Sequence, residues 1–276
     1  MHVRYGRALF HVLLCNGHLW SDTRVLRYSG WGALSLSHDL TEKQVFSVLD
    51  VKCPTNMKPS TDEIQIKSRQ RVADHGEVFT AEREVNAMLD LVQTETERID
   101  SRFLEPACGT GNFLARILER KLAVVARGYG GSRTQWEQQS LIALSSIYGI
   151  DILEDNVREC RQRLFGILEA MRTAAFPAEA PGEDYLATGR YLLERNIIWG
   201  DALTLCTPDE RHEPIVFCEW AWIGTQVKRR DFTLDMLLKN QPMDEPNLFS
   251  DLGDEAFIPT PIREFPLMSY LQLPQP

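Results

Sequence analysis

Between Ala81 and Val92 the apolar residues Val85, Met88, Leu89 and Val92 fall on one face at helical spacing. Thr80 stands where an N-cap is expected, with Arg83 in place of the usual capping-box Glu and Glu84 just beyond. A short apolar run at Arg102 to Glu105 has the length of a strand, and a glycine turn comes after it at Cys108 to Gly111. Phe113, Leu114, Ile117, Leu118 and Leu122 then mark an amphipathic helix. Past a break at Gly128, Gly130 and Gly131, the pattern predicts a helix near Gln135 to Ser146 and a buried strand at Ile147 to Ile152. A helix over Asn156 to Arg172, a loop from Thr173 to Gly182, a shorter helix over Tyr185 to Arg195 and a strand at Ile197 to Trp199 come next, with one more strand inside Glu213 to Ile223. Strands alternating with helices predict an α/β fold with a parallel sheet and right-handed crossovers. After the last strand about one more strand-helix unit fits, so the sheet is expected to be incomplete.

The pattern divides the chain into three. Residues 1–56 lack a sustained period and are expected to form an extension that the rest can spare. Residues 57–240 carry the alternation, and 241–276 form a proline-rich tail. With 276 residues, 43% hydrophobic and 25% charged, the composition is that of a folded domain able to bury its own core. Six cysteines at positions 15, 53, 108, 160, 206 and 218 show no CxxC pair, so neither disulfides nor a bound metal is expected. The apolar stretch Ala8 to Cys15 is too short to span a bilayer and no cleavage site comes after it, which predicts a cytoplasmic protein with no membrane partner. A net charge of −9 works against a sequence-independent grip on nucleic acid, which needs clustered Lys and Arg. Lys228-Arg229-Arg230 is the one compact basic cluster of note, and a solvated turn accounts for it as well as a phosphate contact does.

The residues with the clearest chemistry are Phe103 to Leu114, FLEPACGTGNFL, where an acid ends a strand and a GxG turn opens a helix. Glycines allow a ligand close to the backbone, and a helix N-terminus favours its negative groups, although such a turn also occurs without a ligand. The string Glu105-Pro106-Ala107-Cys108-Gly109-Thr110-Gly111-Asn112-Phe113 resembles motif I of the adenine-N6 DNA methyltransferases of bacterial restriction-modification systems, closest to Type I modification subunits. Three more segments resemble that family's motifs in the same order along the chain, and together the matches cover roughly half of it. In His75 to Leu91 the pair Phe79 and Thr80 corresponds to residues near the methionine carboxylate of the cofactor. In Tyr148-Gly149-Ile150-Asp151-Ile152, Asp151 corresponds to the acceptor for the ribose hydroxyls. In Asn196 to Leu203, Asp201 followed by Ala202 corresponds to the acid that reads the adenine amine. The resemblance thus implies a Rossmann-like methyltransferase fold binding S-adenosyl-L-methionine through Phe79, Thr80, Glu105, Pro106, Ala107, Gly109, Gly111, Asn112, Phe113, Asp151, Ile152, Asp201 and Ala202.

The family's (D/N)PP(Y/F) motif is missing. It is there to accept protons from an exocyclic amine whose lone pair is delocalised into the ring, and to stack on the flipped base. The corresponding strand reads Pro214-Ile215-Val216-Phe217-Cys218-Glu219-Trp220-Ala221-Trp222, which leaves Glu219 as the candidate acceptor and Trp220 as the candidate stacking residue. An aromatic-rich strand is more often core than a base platform. Two functions are therefore expected. One is a modification-type subunit that methylates DNA with the help of a separate specificity or completing chain. The other is a cofactor-binding partner or sensor without methyl transfer. Methylation of RNA or protein stays open, because the cofactor motifs do not specify the acceptor.

Overall fold

The computed structural model describes residues 80–238 and 260–274, together with Arg71 and the backbone of three strand segments near the amino terminus. Those segments are β1 (Phe10–Cys15), β2 (Thr23–Ser29) and β3 (Ala33–Ser37). Next along the chain are α1 (Glu82–Asp90), α2 (Gln93–Thr96), β4 (Arg102–Glu105), α3 (Asn112–Tyr129), α4 (Arg133–Ser145) and β5 (Ile147–Asp151). Then come α5 (Glu154–Ala175), α6 (Glu183–Asn196), β6 (Ile197–Trp199), β7 (Val216–Ile223), β8 (Gln226–Thr233) and α7 (Leu234–Leu238). Two short strands, β9 (Arg263–Glu264) and β10 (Met268–Ser269), and a 3-10 turn at Tyr270–Gln272 complete the described elements.

The fold is mixed α/β, with β4, β5 and β6 paired in parallel so that Phe103 faces Ile147 and Gly149 faces Ile197. All five residues of β5 are buried, as suits a central parallel strand. The crossovers are helical, α3 and α4 leading from β4 to β5 and α5 and α6 from β5 to β6. Leu114, Leu118 and Leu122 of α3, Trp136 and Leu141 of α4, and Leu164 and Leu168 of α5 join Phe103, Ile147 and Ile150 of the sheet in one buried cluster. The helix spacing in the sequence exists to fill that cluster.

Lys121 of α3 is fully buried, and its ammonium donates to the carbonyls of Ile99 (3.1 Å) and Ser101 and to the Ser146 hydroxyl (2.6 Å). Burial pushes its pKa down to about 7, while the three acceptors match its three N–H donors. Because Ser101 precedes β4 and Ser146 precedes β5, this one side chain holds the amino ends of two parallel strands together.

The structure departs from the sequence pattern in four places. Helix α1 begins at Glu82 with Ala81 at its N-cap and no side-chain cap, so Thr80 is not the capping residue. The segment expected to lack regular elements supplies β1–β3, which extend the sheet from β4 in the order β3-β2-β1-β4-β5-β6. The third departure is β7, expected to lead into another strand-helix unit. The chain instead turns at Gly224 and Thr225, and β8 returns antiparallel along β7, from Ile223 opposite Gln226 to Val216 opposite Thr233. Gly224 has φ +58°, the left-handed backbone that a two-residue hairpin loop requires, and no room remains for the crossover that a parallel strand needs. Fourth, the proline-rich tail docks. Arg263–Glu264 and Met268–Ser269 pair with β8, and Tyr270 and Leu273 are buried.

The hairpin packs against the amino ends of the parallel strands. The Trp220 indole donates to Asn196 Oδ1 (2.9 Å), and Asn196 Nδ2 donates to the carbonyls of Ser145 (3.0 Å) and Ile147 (3.1 Å). Trp222 donates to Ser145 Oγ (3.0 Å), and Glu219 is ion-paired to Arg102 (3.1 Å) at the first residue of β4 and to Arg230 (2.5 Å) on β8. Glu219 is therefore a buried structural anion between two arginines. Glu219→Ala is expected to lower unfolding stability by about 3 kcal/mol, as for one partner removed from a buried ion pair. Chemical denaturation checks this, and an unchanged midpoint would show that the cluster carries no stability.

Candidate functional site

At the other end of the parallel strands the chain between β4 and α3 forms a tight loop. Gly109 and Gly111 have φ of +53° and +85°, conformations that side-chain-bearing residues rarely adopt. A Cβ on Gly111 would also lie 2.7 Å from the Cys160 sulfur. The loop is tied to β5 by backbone and side chain together. Cys108 N donates to the Ile150 carbonyl (2.9 Å), and Gly109 N donates to Asp151 Oδ2 (2.8 Å). Asp151 Oδ1 accepts from Leu153 N (2.9 Å) and Asn156 Nδ2 (3.2 Å), which also fixes the start of α5. The next strand joins through Gly200 N, which donates to the Asp151 carbonyl (3.0 Å).

Glu105, the last residue of β4, is 2% exposed, and neither of its carboxyl oxygens has a hydrogen-bond partner among the described residues. Burial pushes its pKa up to about 8; the nearby Ala107 amide works against the rise and the Asp151 charge adds to it. An unpartnered buried carboxyl costs folding free energy, and a cationic ligand group beside it removes that cost. Around it lie half-buried Pro106 and exposed Ala107. Ile152 is 45% exposed and Leu203 95% exposed, so large apolar side chains stand in solvent just past the ends of β5 and β6.

The structure brings Glu105, Gly109, Gly111, Asp151, Ile152, Asp201 and Ala202 to the carboxyl ends of three adjacent strands. Asp201 Oδ1 accepts from Leu203 N (2.8 Å) and closes its own turn. Thr80 belongs to the same region because its carbonyl accepts from Asn112 Nδ2 (3.1 Å). Phe79 lies outside the described residues. Phe113 is 5% exposed and packs in the core, so it supports the loop from beneath.

Glu219 and Trp220 are not at this site. Glu219 pairs with Arg102 at the beginning of β4, whereas the loop comes after Glu105 at its end, about 10 Å along the strand at the usual rise per residue. Trp220 is buried against Asn196 and Tyr191. The hairpin places both residues at the amino ends of the sheet, apart from the glycine loop. The sequence pattern also left unmarked the side of α5 that faces the loop: Asn156, Cys160 and Arg163, whose i, i+4, i+7 spacing was the available signal.

With acidic groups at two strand ends, left-handed glycines between them and an apolar flank, the arrangement suits a nucleoside-like ligand that carries positive charge. No described protein family, no characterised protein and no solved structure matches the chain. Among the described residues no helix is long and apolar enough to cross a membrane, and no cluster of side chains could hold a metal ion.

Asp151→Ala removes the acceptor for the Gly109 and Leu153 amides and, on the expectation drawn from the sequence, a contact to the cofactor ribose. It is expected to cost roughly 2–3 kcal/mol of stability and about ten- to hundredfold in affinity for S-adenosylmethionine. Titration calorimetry well below the melting temperature measures the second effect, and an unchanged affinity would remove Asp151 from the site. Glu105 generates a pH-dependent expectation. Its folded pKa is raised, so its contribution to stability is complete below about 4.5 and is lost as pH rises through about 8. Glu105→Gln should therefore match the wild type near pH 4.5 and be the more stable of the two above pH 8. A stability difference that does not change with pH would contradict this.

Proposed function

We propose that the chain is the S-adenosylmethionine-binding part of a DNA adenine-N6 methyltransferase, a modification-type subunit whose acceptor chemistry is completed by a second chain. The observation that carries this reading is Glu105, a buried carboxyl without a partner beside the positive-φ glycines Gly109 and Gly111. Together they suit a ligand that offers an ammonium and needs close backbone approach. On this reading the three parallel strands are the nucleotide-binding half of a Rossmann-like methyltransferase sheet. Bound there, S-adenosylmethionine supplies a methyl group on a positively charged sulfur.

Each residue then has a task. Asp151, which holds Gly109, Leu153 and Asn156 in place, stands at the end of β5 and accepts from the ribose hydroxyls. Asp201 accepts from the adenine amine through Oδ2, and Ile152 with Ala202 covers the ring. Glu105 faces the ammonium. Thr80, joined to Asn112, lies toward the carboxylate. Transfer to an adenine amine additionally requires a proton acceptor and a stacking surface, and Glu219 and Trp220 are committed to Arg102, Arg230 and Asn196. A second chain is the source of those groups, and of the DNA grip that a net charge of −9 does not favour.

The same commitment of Glu219 and Trp220 favours a second reading, a cofactor-binding partner or sensor in a restriction or phage-defence system that transfers no methyl group. Methyl transfer from labelled S-adenosylmethionine to DNA separates the two, measured with the chain alone and with proteins encoded by neighbouring genes. Binding without transfer by the chain alone, and transfer once a partner is added, is the expected outcome. Binding without transfer in every combination would establish the second reading, and absence of cofactor binding would overturn both.

A further inference from the structure

Helix α5 holds the glycine loop along one stripe. Asn156 reaches Asp151, the Cys160 sulfur fills the space beside Gly111, and Arg163 Nη1 donates to Asn112 Oδ1 at 2.6 Å. Asn112 in turn donates from Nδ2 to the Thr80 carbonyl at 3.1 Å. Arg163, Asn112 and Thr80 thus form a continuous chain that starts on α5, crosses the first residue of α3 and ends just before α1.

The charge on Arg163 sets it apart from the arginines around it. Arg71 is paired with Asp155 (2.6 Å), Arg116 with Glu82 (3.0 Å) and Glu119 (2.5 Å), and Arg120 with Asp90 (2.6 Å). Arg161 donates to the carbonyls of Ile197 and Glu194. Arg163 is half-buried, and among the described residues its guanidinium meets the Asn112 amide oxygen and no carboxylate. A guanidinium with its fork left open is suited to a carboxylate or another planar anion. The same loop runs from Glu105, whose buried carboxyl has no hydrogen-bond partner, to Asn112, which Arg163 holds. Among the described residues, a guanidinium without a carboxylate and a carboxyl without a partner thus stand at the two ends of one glycine loop, which suits the carboxylate and the ammonium of an α-amino-acid group.

We propose that Arg163 is a specificity-determining residue of this site, a positioning residue that orients Asn112 and Thr80 and supplies the positive charge toward which the carboxylate of an amino-acid-bearing nucleoside is drawn. The proposal rests on the reading of the site as one for S-adenosylmethionine. It adds that the carboxylate is selected, and by which side chain. The energetic reason is that a carboxylate drawn to a partly buried cation gains more than it does in water, whereas a ligand without one leaves the charge unanswered.

The test compares S-adenosylmethionine with its decarboxylated analogue, which keeps the adenosine, the sulfonium and the amine. Both are titrated calorimetrically into wild type, Arg163→Gln and Arg163→Lys, with melting temperatures recorded to confirm folding. Wild type is expected to prefer the intact ligand by about ten- to hundredfold, the range for one charge-assisted contact. Arg163→Gln should bring the ratio close to one by weakening the intact ligand alone, and Arg163→Lys, which keeps the charge without the fork, should restore part of it. A preference that survives in Arg163→Gln would overturn the inference and leave the site's assignment standing. An equal loss for both ligands would overturn it as well, since that is the signature of a merely structural role. If wild type binds neither ligand, the proposed function itself falls and the inference with it.

Discussion

The hydrogen bond from the Gly109 amide to Asp151 Oδ2, 2.8 Å long, is the contact around which the site is organised. It joins the turn after β4 to the end of β5, and the other Asp151 oxygen joins the same point to the first turn of α5. The glycine at this position has φ +53°, a backbone in which an amide can point sideways toward the neighbouring strand. Once it does, Gly111 is brought against Cys160, Asn112 falls within reach of Arg163, and Thr80 is held by Asn112. A single acid at a strand end therefore fixes elements that are far apart in sequence. Parallel strands make this possible, because they deliver their carboxyl ends to the same edge of the sheet.

The two ends of the parallel strands differ in what their buried polar groups meet: Glu219 Oε2 and Arg230 Nε, at the amino ends, have no hydrogen bond but belong to an ion pair, whereas neither oxygen of Glu105 at the carboxyl end has a partner among the described residues. At the amino ends Lys121 meets three acceptors, Asn196 bridges two carbonyls and an indole, and Glu219 sits between two arginines. At the carboxyl ends Glu105 is buried without a partner, while Ile152 and Leu203 stand in water. Folding tolerates a few such deficits, and they gather where a ligand makes them good. The hairpin β7–β8 closes the amino end and is thereby taken away from the chemistry. On the proposed reading, that placement separates the residues that would hold a methyl donor from the hairpin residues Glu219 and Trp220.

What the sequence revealed was what local rules govern. The strands Arg102–Glu105 and Ile197–Trp199 lie where the apolar runs put them, and the glycine turn comes directly after β4 because a GxG segment between a strand and a helix has few other conformations. Asp151 and Asp201 were marked by the resemblance of their segments to family motifs, and the structure sets both just past the ends of adjacent parallel strands. Glu219 and Trp220 were misplaced because the direction of β7 in the fold depends on the strand it pairs with, β8. The two-residue turn at Gly224 and Thr225 was the signal, and it was outweighed by an alternation that pointed to another parallel strand. The spacing of Asn156, Cys160 and Arg163 marks one face of α5, but no local rule singles out Arg163 on it. Its importance comes from lacking a carboxylate partner among the described residues, and pairing is a property of the folded chain.

The central claim is that a ligand binds at the carboxyl ends of β4 and β5 and that the hairpin stands apart from it. Amide hydrogen exchange with and without S-adenosylmethionine tests both halves in one measurement. The amides of Cys108, Gly109, Gly111 and Leu153 already donate to Ile150, Asp151 and Cys108, so a ligand that stabilises the loop slows their exchange further. The expected result is protection over residues 105–113 and 151–156, with residues 216–233 unchanged. Protection centred on Glu219 and Trp220 in the hairpin, or none anywhere in the chain, would contradict the claim.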